Sequence, residues 1–498
     1  MVRWVRPLSA QSEESAREVG AKARGLVVLH RLGLPVPAGF VVTTEACRAY
    51  LREGRLPDGL AGELAQAMTG LEAATGRRFG GARAPLAVSV RSGASVSMPG
   101  MMTTILNLGL TTEATAGLAA ETGDARFAED SRQRFLSGFA AARAVPDDAA
   151  RQLELAVETV FSSWETSRAR TYRELHDIPH DLGTAVIVQA MVYGNRDDRS
   201  GTGVAFSRDP NTGENALFGD VLFGHQGEDV VSGRSLTRPL RELADREPAV
   251  WAALVEALRR VEGHYRDACY VEFTFQAGEL WLLQVRPGRF VGGAAVRLAT
   301  ELADARLITR REALLRVSPQ HLQHVRTPRI AAPGQADILA RGVGACPGVA
   351  VGKVATTTDA AVRMAADGPV ILVRPETSPN DMRGLAAAAG IVTARGGPAS
   401  HAAVVARAMG KPAVVGIADL VVDGSSLSAG GRTVGEGALV TIDGTSGEVA
   451  IGSPRIATDT ADAHLRRLLA WADEASGERS EHDEARRLIA AHTALRDP

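Results

Sequence analysis

The sequence is poor in cysteine, in aromatic side chains and in excess charge. Of its 498 residues three are cysteine and 4% are aromatic, and the formal net charge is −2. Cys47, Cys269 and Cys346 stand far apart with no CxxC pair. A disulfide framework and a thiolate zinc site are therefore not expected, and a reducing, cytoplasmic setting fits. With 56 basic against 58 acidic side chains, no basic excess exists to release counterions from a nucleic-acid backbone, so anion binding must rest on local clusters. Few aromatics also argue against base-stacking platforms. Residues 1–20 mix acids with bases and have no apolar core of a secretory signal. The longest apolar runs, such as 385–394, fall well short of the ~20 residues that span a bilayer. Neither nucleic acid nor membrane is an expected partner. A Walker A loop is also missing: the nearest approach, 348–353, has one residue too few between its glycines.

Length and glycine content are what the chain does have. At about 150 residues per domain, 498 residues make roughly three folded units. Residues 13–32 carry Ala, Val and Leu at helical spacing, closed by Gly33, and 39–43 read as a strand. A β-like stretch with a polar glycine-bearing loop occupies 85–110, a helical pattern 124–174, and β-textured segments follow Pro179. The fold class expected is α/β (α+β): a nucleotide-binding domain over 1–290 with a helical insert at about 111–180, a helical linker over 291–337, a compact α/β domain over 338–452, and a helical tail over 453–498 that lacks the apolar mass of a third core and reads as a linker or docking helix.

Three segments could carry chemistry. In the hairpin 270–287, alternation puts Val271, Phe273 and Phe275 on one face and Glu272 and Thr274 on the other. A three-residue loop at Ala277, Gly278 and Glu279 would set Glu272 opposite Gln284. Such neighbours could share a hard cation such as Mg²⁺ beside Arg286, an arrangement suited to nucleotide phosphates. A half-solvated hairpin with its polar face in water explains the same pattern, and from this segment alone is the preferred reading. In the loop 90–104, Arg91 is followed by small residues whose N–H groups could line a polyphosphate, and an ordinary surface loop is the alternative. Lys22, early in the first helix, is a phosphate contact or simply a solvated lysine. The sharpest segment is 391–416: a strand, a Gly-Gly turn, Ser400 as N-cap and a helix from His401. That exposed, electropositive position depresses the imidazole pKa and favours a neutral nucleophile; a histidine merely capping or packing at a helix start is the plain alternative.

Taken together, these blocks closely resemble pyruvate phosphate dikinases, within the phosphoenolpyruvate-utilising phosphohistidine enzymes. The matching pieces are VGAKARGL and LGLPVPAGFVVTTEAC, SVRSGASVSMPGMMTTILNLGL, GNRDDRSGTGVAFSRDPNTGE, HQGEDVVSG, EFTF with LLQVRPG, VILVRPETSPNDM and RGGPASHAAVVARAMGKPAVVG, spread over about residues 18–474. The resemblance implies an ATP-grasp-like domain followed by a swivelling phosphohistidine domain. It also implies an ATP-dependent kinase that uses ATP and inorganic phosphate, releases AMP and pyrophosphate, and leaves a phosphoryl group on His401. Lys22, Arg91 and Arg286 fall on phosphate-contacting positions, Glu272 and Gln284 on Mg²⁺ ligands, Glu228 in a nucleotide-associated motif, and Ser97, Gly100 and Met101 in the phosphate loop. The implied hairpin use reverses the preference for a merely solvated face.

Departures qualify what is implied. No segment resembles the family's barrel for pyruvate or phosphoenolpyruvate, so the expectation is a donor half whose partner is a separate barrel protein or another phosphoryl acceptor. Tyr270 stands where the dikinases carry an aspartate, which removes a charged acceptor near the expected metal. LQVRPG is closer to phosphoenolpyruvate synthases and antibiotic phosphotransferases, and Ala399 replaces the regulatory threonine of the plant enzymes. Two other readings follow: a non-catalytic nucleotide-binding or interaction protein derived from a dikinase, and a synthase-like or small-molecule phosphotransferase.

Overall fold

The computed structural model describes residues 3–96, 98, 101–139, 145–231, 237–288, 290–323, 325, 328–331, 336–398, 400–458, 463–477 and 483–496. The chain divides into two compact units: Met1–Gly201 with Phe223–His225 and Glu272–Arg286, and Thr202–Leu222 with Gln226–Val271 and Pro287–Pro498. Helix and strand are mixed throughout, as the α/β class requires.

The first unit is built on a five-stranded sheet in the order Val5–Pro7, Gly39–Val42, Ala185–Ala190, Val88–Gly93 and Thr104–Leu108. The pairings are antiparallel; Val90 lies opposite Val188 and Val42 opposite Val186. Their side chains join Phe40, Leu60, Leu64, Val157 and Phe161 in one core. Between the last two strands in sequence the chain runs as helices Thr112–Thr122, Ala125–Gly138, Ala149–Ser163 and Ser167–Leu175. Each starts where a short oxygen-bearing side chain takes orphan amides: Thr111 accepts from Ala114, Asp124 from Arg126 and Phe127, Asp148 from Arg151, Thr166 from Ala169.

In the second unit an eight-stranded sheet runs in the order Ile338–Arg341, Glu448–Ile451, Leu439–Asp443, Val349–Ala355, Val370–Arg374, Gly390–Thr393, Ala413–Val415 and Val343–Cys346. Its centre is parallel from Val349–Ala355 through Ala413–Val415. Helices Thr358–Met364, Met382–Ala387 and His401–Met409 make the crossovers, which is why the strands read as uninterrupted Val and Ile runs. Strands Pro328–Ile330 and Ile456–Thr458 pair antiparallel, joining the two chain segments that enter and leave this sheet.

The tail departs from expectation. It is helical, over Ala463–Ser476 and Glu484–Arg496. However, Leu465, Leu468, Leu469, Trp471, Ala472, Leu488 and Ala491 are buried in the same core as Val296, Leu298, Leu302, Ile308 and Leu314. The apolar residues too few for a core of their own complete one shared with the helices Gly292–Asp304 and Arg310–Arg316. The segment is thus a packed part of the second unit.

Candidate active site

Lys22 owes its position to glycine. The helix Ala16–Arg31 is broken at Gly20, whose φ of 81° and ψ of 157° suit a residue without a side chain. A Cβ at Gly20 would lie 1.7 Å from the Gly93 carbonyl oxygen. With nothing in the way, Ala21 N–H donates to the Ala94 carbonyl at 3.0 Å, tying the helix start to the end of the strand Val88–Gly93 that carries Arg91. Further along, Gly25 lies so close to Val285 that a Cβ would be 3.0 Å from its carbonyl oxygen.

Lys22 consequently sits half-buried in the field of Arg91, Glu272 and Arg286. Burial, then repulsion from Arg91, draws its ammonium down to about 8; Glu272 opposes and Arg286 reinforces the shift. The reading of a solvated lysine is overturned. Arg91 is 8% exposed. Its Nη2 donates to Gln189 Oε1 and, at 3.1 Å, to the Leu283 carbonyl, while its Nε is buried without a partner among the described residues. Burial also draws this guanidinium below its usual range, against the pull of Glu272. Three cations thus answer to one carboxylate, an imbalance that a polyphosphate would relieve.

The hairpin closes differently from expectation. Strands Cys269–Gln276 and Glu279–Pro287 leave a two-residue loop, with Ala277 at φ 50° and Gly278 at φ 82°. Two left-handed residues match the strand twist. Ala277 is held there because its N–H donates to Ser200 Oγ at 3.0 Å and that of Gly278 to the Arg199 carbonyl at 2.9 Å. The loop is thus one residue shorter than the three expected. Glu272 and Gln284 both reach Arg286. Arg286 Nη2 donates to Glu272 Oε1 at 3.1 Å. With the Gln284 amide turned to present its oxygen, Arg286 donates to it from Nε and, at 2.8 Å, from Nη2.

Among the described residues no three His, Cys, Asp or Glu side chains cluster as a metal cage. Glu272 and Gln284 do fit Mg²⁺ as it is held with nucleotides, by one or two protein oxygens, water and phosphate. Arg286, the cation that engages both oxygens in this structure, would have to release them.

In the second unit, Ser400 caps the helix His401–Met409 by accepting from Ala403 N–H at 3.5 Å. The His401 ring lies at the helix start, half-buried where an exposed position was expected. Its Nδ1 is 3.1 Å from the Thr377 hydroxyl, and its Nε2 is buried without a partner among the described residues. Burial lowers the imidazole pKa to about 4, with Asp381 pulling upward. The cause is therefore desolvation first, where the sequence reading invoked the helix terminus.

Other expected residues lie elsewhere. Ser97 and Gly100 are outside the described residues, as is Ala399. Met101 is buried with Met98 and Trp164. Glu228 falls in the short helix Gly227–Val231, its side chain outside those described. Tyr270 is 7% exposed and packs edge-on to Phe206, ring centroids 4.9 Å apart. All three cysteines are buried and free; burial pushes Cys47 and Cys269 up to about 12 and Cys346 up to about 11, which leaves them as inert thiols. Gln189, Thr377, Asp381 and Arg374 were not singled out from the sequence. Thr377 and Asp381 were visible only as part of the motif ETSPNDM, which says nothing of their partners.

Residues 55–240 match the model of the pyruvate phosphate dikinase AMP/ATP-binding domain, and 366–447 that of the PEP-utilising enzyme mobile domain. Arg91 and His401 lie within these ranges; Lys22, Glu272, Gln284 and Arg286 do not. The chain is 39% identical over 542 residues to a pyruvate, phosphate dikinase of Rhizobium meliloti, covering 95% of this chain and 60% of that protein. It is 40% identical to pyruvate, phosphate dikinase 2 of Zea mays, covering 92% of this chain and 58% of the relative. The chloroplastic enzyme of Flaveria bidentis is also 40% identical, with 92% and 54% covered. The chain thus spans little more than half the length of these relatives. Over the part it shares with them, it belongs to the pyruvate, phosphate dikinase family of PEP-utilising enzymes.

Proposed function

We propose that this chain performs the ATP half-reaction of a dikinase. ATP and inorganic phosphate would be converted to AMP and pyrophosphate, with one phosphoryl group kept on His401 for onward transfer. The domains would be those read from the sequence: nucleotide-binding over 1–290, linker over 291–337, mobile phosphohistidine domain over 338–452 and helical tail. Lys22, Arg91 and Arg286 would hold nucleotide phosphates, with Ser97, Gly100, Met101 and Glu228 near them. Glu272 and Gln284 would hold Mg²⁺, which when bound neutralises phosphate charge. Pyruvate on a separate barrel protein, or another acceptor, would take the phosphoryl group. A cytoplasmic setting suits the free cysteines, and no helix among the described residues is long and apolar enough to cross a membrane.

The observation that carries this reading is the state of His401: neutral at physiological pH, Nδ1 engaged by Thr377 and Nε2 without a partner. With Nδ1–H donating to the Thr377 hydroxyl, the lone pair of the neutral ring falls on Nε2, where it can meet phosphorus. The test is incubation with ATP labelled at the β-phosphate, Mg²⁺ and inorganic phosphate. Acid-labile, base-stable protein label that vanishes in His401→Ala is expected. Binding of ATP without label or AMP release would instead favour the non-catalytic reading.

A further inference from the structure

The turn before the helix Met382–Ala387 holds a carboxylate that the reading above leaves idle. Asp381 is 8% exposed and its oxygens are fully engaged. Oδ2 accepts from Ser378 N–H at 2.8 Å and Ser378 Oγ at 3.0 Å; Oδ1 accepts from Thr358 Oγ1 at 2.9 Å and lies 3.5 Å from Arg374 Nε. Arg374 is itself anchored by donating to the Thr356 carbonyl at 3.1 Å. Ser378 N–H belongs to the peptide that follows Thr377, so these bonds hold the backbone from which the Thr377 hydroxyl meets His401 Nδ1.

We infer that Asp381 is a positioning residue which, clamped by Arg374, Ser378 and Thr358, keeps the proton of His401 on Nδ1 through the phosphoryl-transfer cycle. The inference rests on His401 being the phosphoryl carrier. In the charging step the Nε2 lone pair forms the N–P bond to the β-phosphorus as its P–O bond to AMP breaks, the AMP oxygen keeping the electron pair; an oxygen of inorganic phosphate then bonds the terminal phosphorus as the β–γ bridge breaks, releasing pyrophosphate and leaving one phosphoryl group on Nε2. Nδ1 retains its proton, so the ring becomes a phosphorylated imidazolium. In the discharging step an oxygen of the acceptor bonds phosphorus as the P–Nε2 bond breaks, the pair of that bond returns to Nε2, and the ring leaves neutral. Loss of the Nδ1 proton between the two steps would force an imidazolate to leave, a far poorer leaving group. A nearby carboxylate opposes that loss.

Few other charges are placed to do this. The helix His401–Met409 contacts the strands Gly390–Thr393, Ala413–Val415 and Val343–Cys346 and the helix Met382–Ala387. The first two strands carry no titratable side chain. Cys346 on the third is a neutral thiol, raised by burial. Arg383, on the neighbouring helix, and Arg407, on the histidine's own helix, are cations and would expel the proton. Glu376, in the preceding loop, pairs with Arg395 at 3.3 Å. Among the described residues, Asp381 is the one that pulls the imidazole toward its charged form.

Nitrogen NMR of the full chain reads both tautomer and titration of His401 without any phosphorylation. The native protein should show the Nδ1-protonated tautomer. Asp381→Asn should mix the tautomers and lower the imidazole midpoint, whereas Arg374→Gln, which removes the carboxylate's counter-cation, should raise it; shifts of about one pH unit would reflect a partly buried charge at this range. Thr358→Val, which deletes one bond and no charge, should leave the midpoint in place. In labelled protein, loss of phosphate from Asp381→Asn should shift to lower pH by a similar amount. An unchanged midpoint and tautomer in Asp381→Asn, with the protein folded by circular dichroism, overturns the inference; if that variant does not fold, an unchanged midpoint in Arg374→Gln does so. A native protein that takes no label sinks the phosphohistidine reading instead, and leaves the NMR result standing on its own.

Discussion

Arg286 donates to the carboxylate of Glu272 at 3.1 Å while engaging the amide oxygen of Gln284. One guanidinium thus holds together the two oxygens proposed for Mg²⁺, and Glu272 is the anion that offsets Lys22, Arg91 and Arg286. Removing its charge should separate two effects. Glu272→Gln should retain metal-free ATP binding, or strengthen it, because the cations gain net charge. Mg²⁺-dependent label formation should fall by about 100-fold or more, the scale of losing one electrostatic group in an active site. Titration with ATP, with and without Mg²⁺, beside single-turnover labelling decides the matter. Equal loss of metal-free binding would deny Glu272 this role.

Lys22 offers a second test, in protons. Its ammonium titrates near 8 because burial and Arg91 disfavour the charge, and phosphate oxygens beside it would favour the charge again. Binding ATP should therefore raise its pKa and take up protons. At pH 8 uptake should approach about half a proton per site, and it should disappear near pH 6, where the lysine is already charged. Calorimetry in two buffers of different ionisation enthalpy measures this directly. Lys22→Met should abolish the buffer dependence at pH 8; a native protein with no buffer dependence there would place the lysine away from the phosphates.

Gly20 and Gly62 should respond oppositely to the same added methyl group. At Gly20 the backbone is left-handed in φ and a Cβ would meet the Gly93 carbonyl oxygen at 1.7 Å. Gly20→Ala should cost more than about 2 kcal/mol, since the strained backbone alone is worth 1–3, and should weaken ATP binding by displacing Lys22. Gly62, within the helix Leu60–Thr75, has nothing within 4 Å of an added Cβ. Gly62→Ala should be neutral or stabilise by up to about 1 kcal/mol. Urea denaturation of the two variants compares them; similar losses would mean the close approach at Gly20 is not real.

What could be read from the sequence follows the range of the interactions involved. The helix after Ser400 and the parallel strands around it were legible because capping and apolar runs are local. Where the tail packs was not legible, because its burial depends on partners 150 and more residues away, such as Leu302 and Leu314, which no local pattern reveals. The hairpin loop failed for a similar reason: the amides of Ala277 and Gly278 are held by Ser200 and Arg199. Likewise the packing of Tyr270 against Phe206 joins residues 64 positions apart, which no local pattern reveals. Lys22 and Arg91 could be nominated from their motifs, yet their shared excess of charge exists only once Gly20 lets helix and strand meet.

His401 makes a prediction about folding that is independent of any reaction. Its imidazole has a pKa of about 4 in the folded chain, below the ordinary imidazole value of 6.5, because burial disfavours the cation. Below the unfolded value the unfolded chain binds a proton that the folded chain refuses, so protonation favours unfolding. The stability linked to this residue is complete above about pH 7 and is lost progressively as the pH falls from 6.5 toward 4, with a limiting slope of about 1.4 kcal/mol per pH unit. His401→Asn cannot bind that proton in either state. Other titrating groups, including His30, contribute to both proteins alike and cancel in the difference. The stability of the native chain relative to His401→Asn should therefore be constant above pH 7 and decline steadily below 6.5, as read by urea unfolding at half-unit intervals. Two curves that stay parallel from pH 7.5 to 5 would mean that the imidazole is as easily protonated in the folded chain as in the unfolded one, and that burial does not hold His401 neutral.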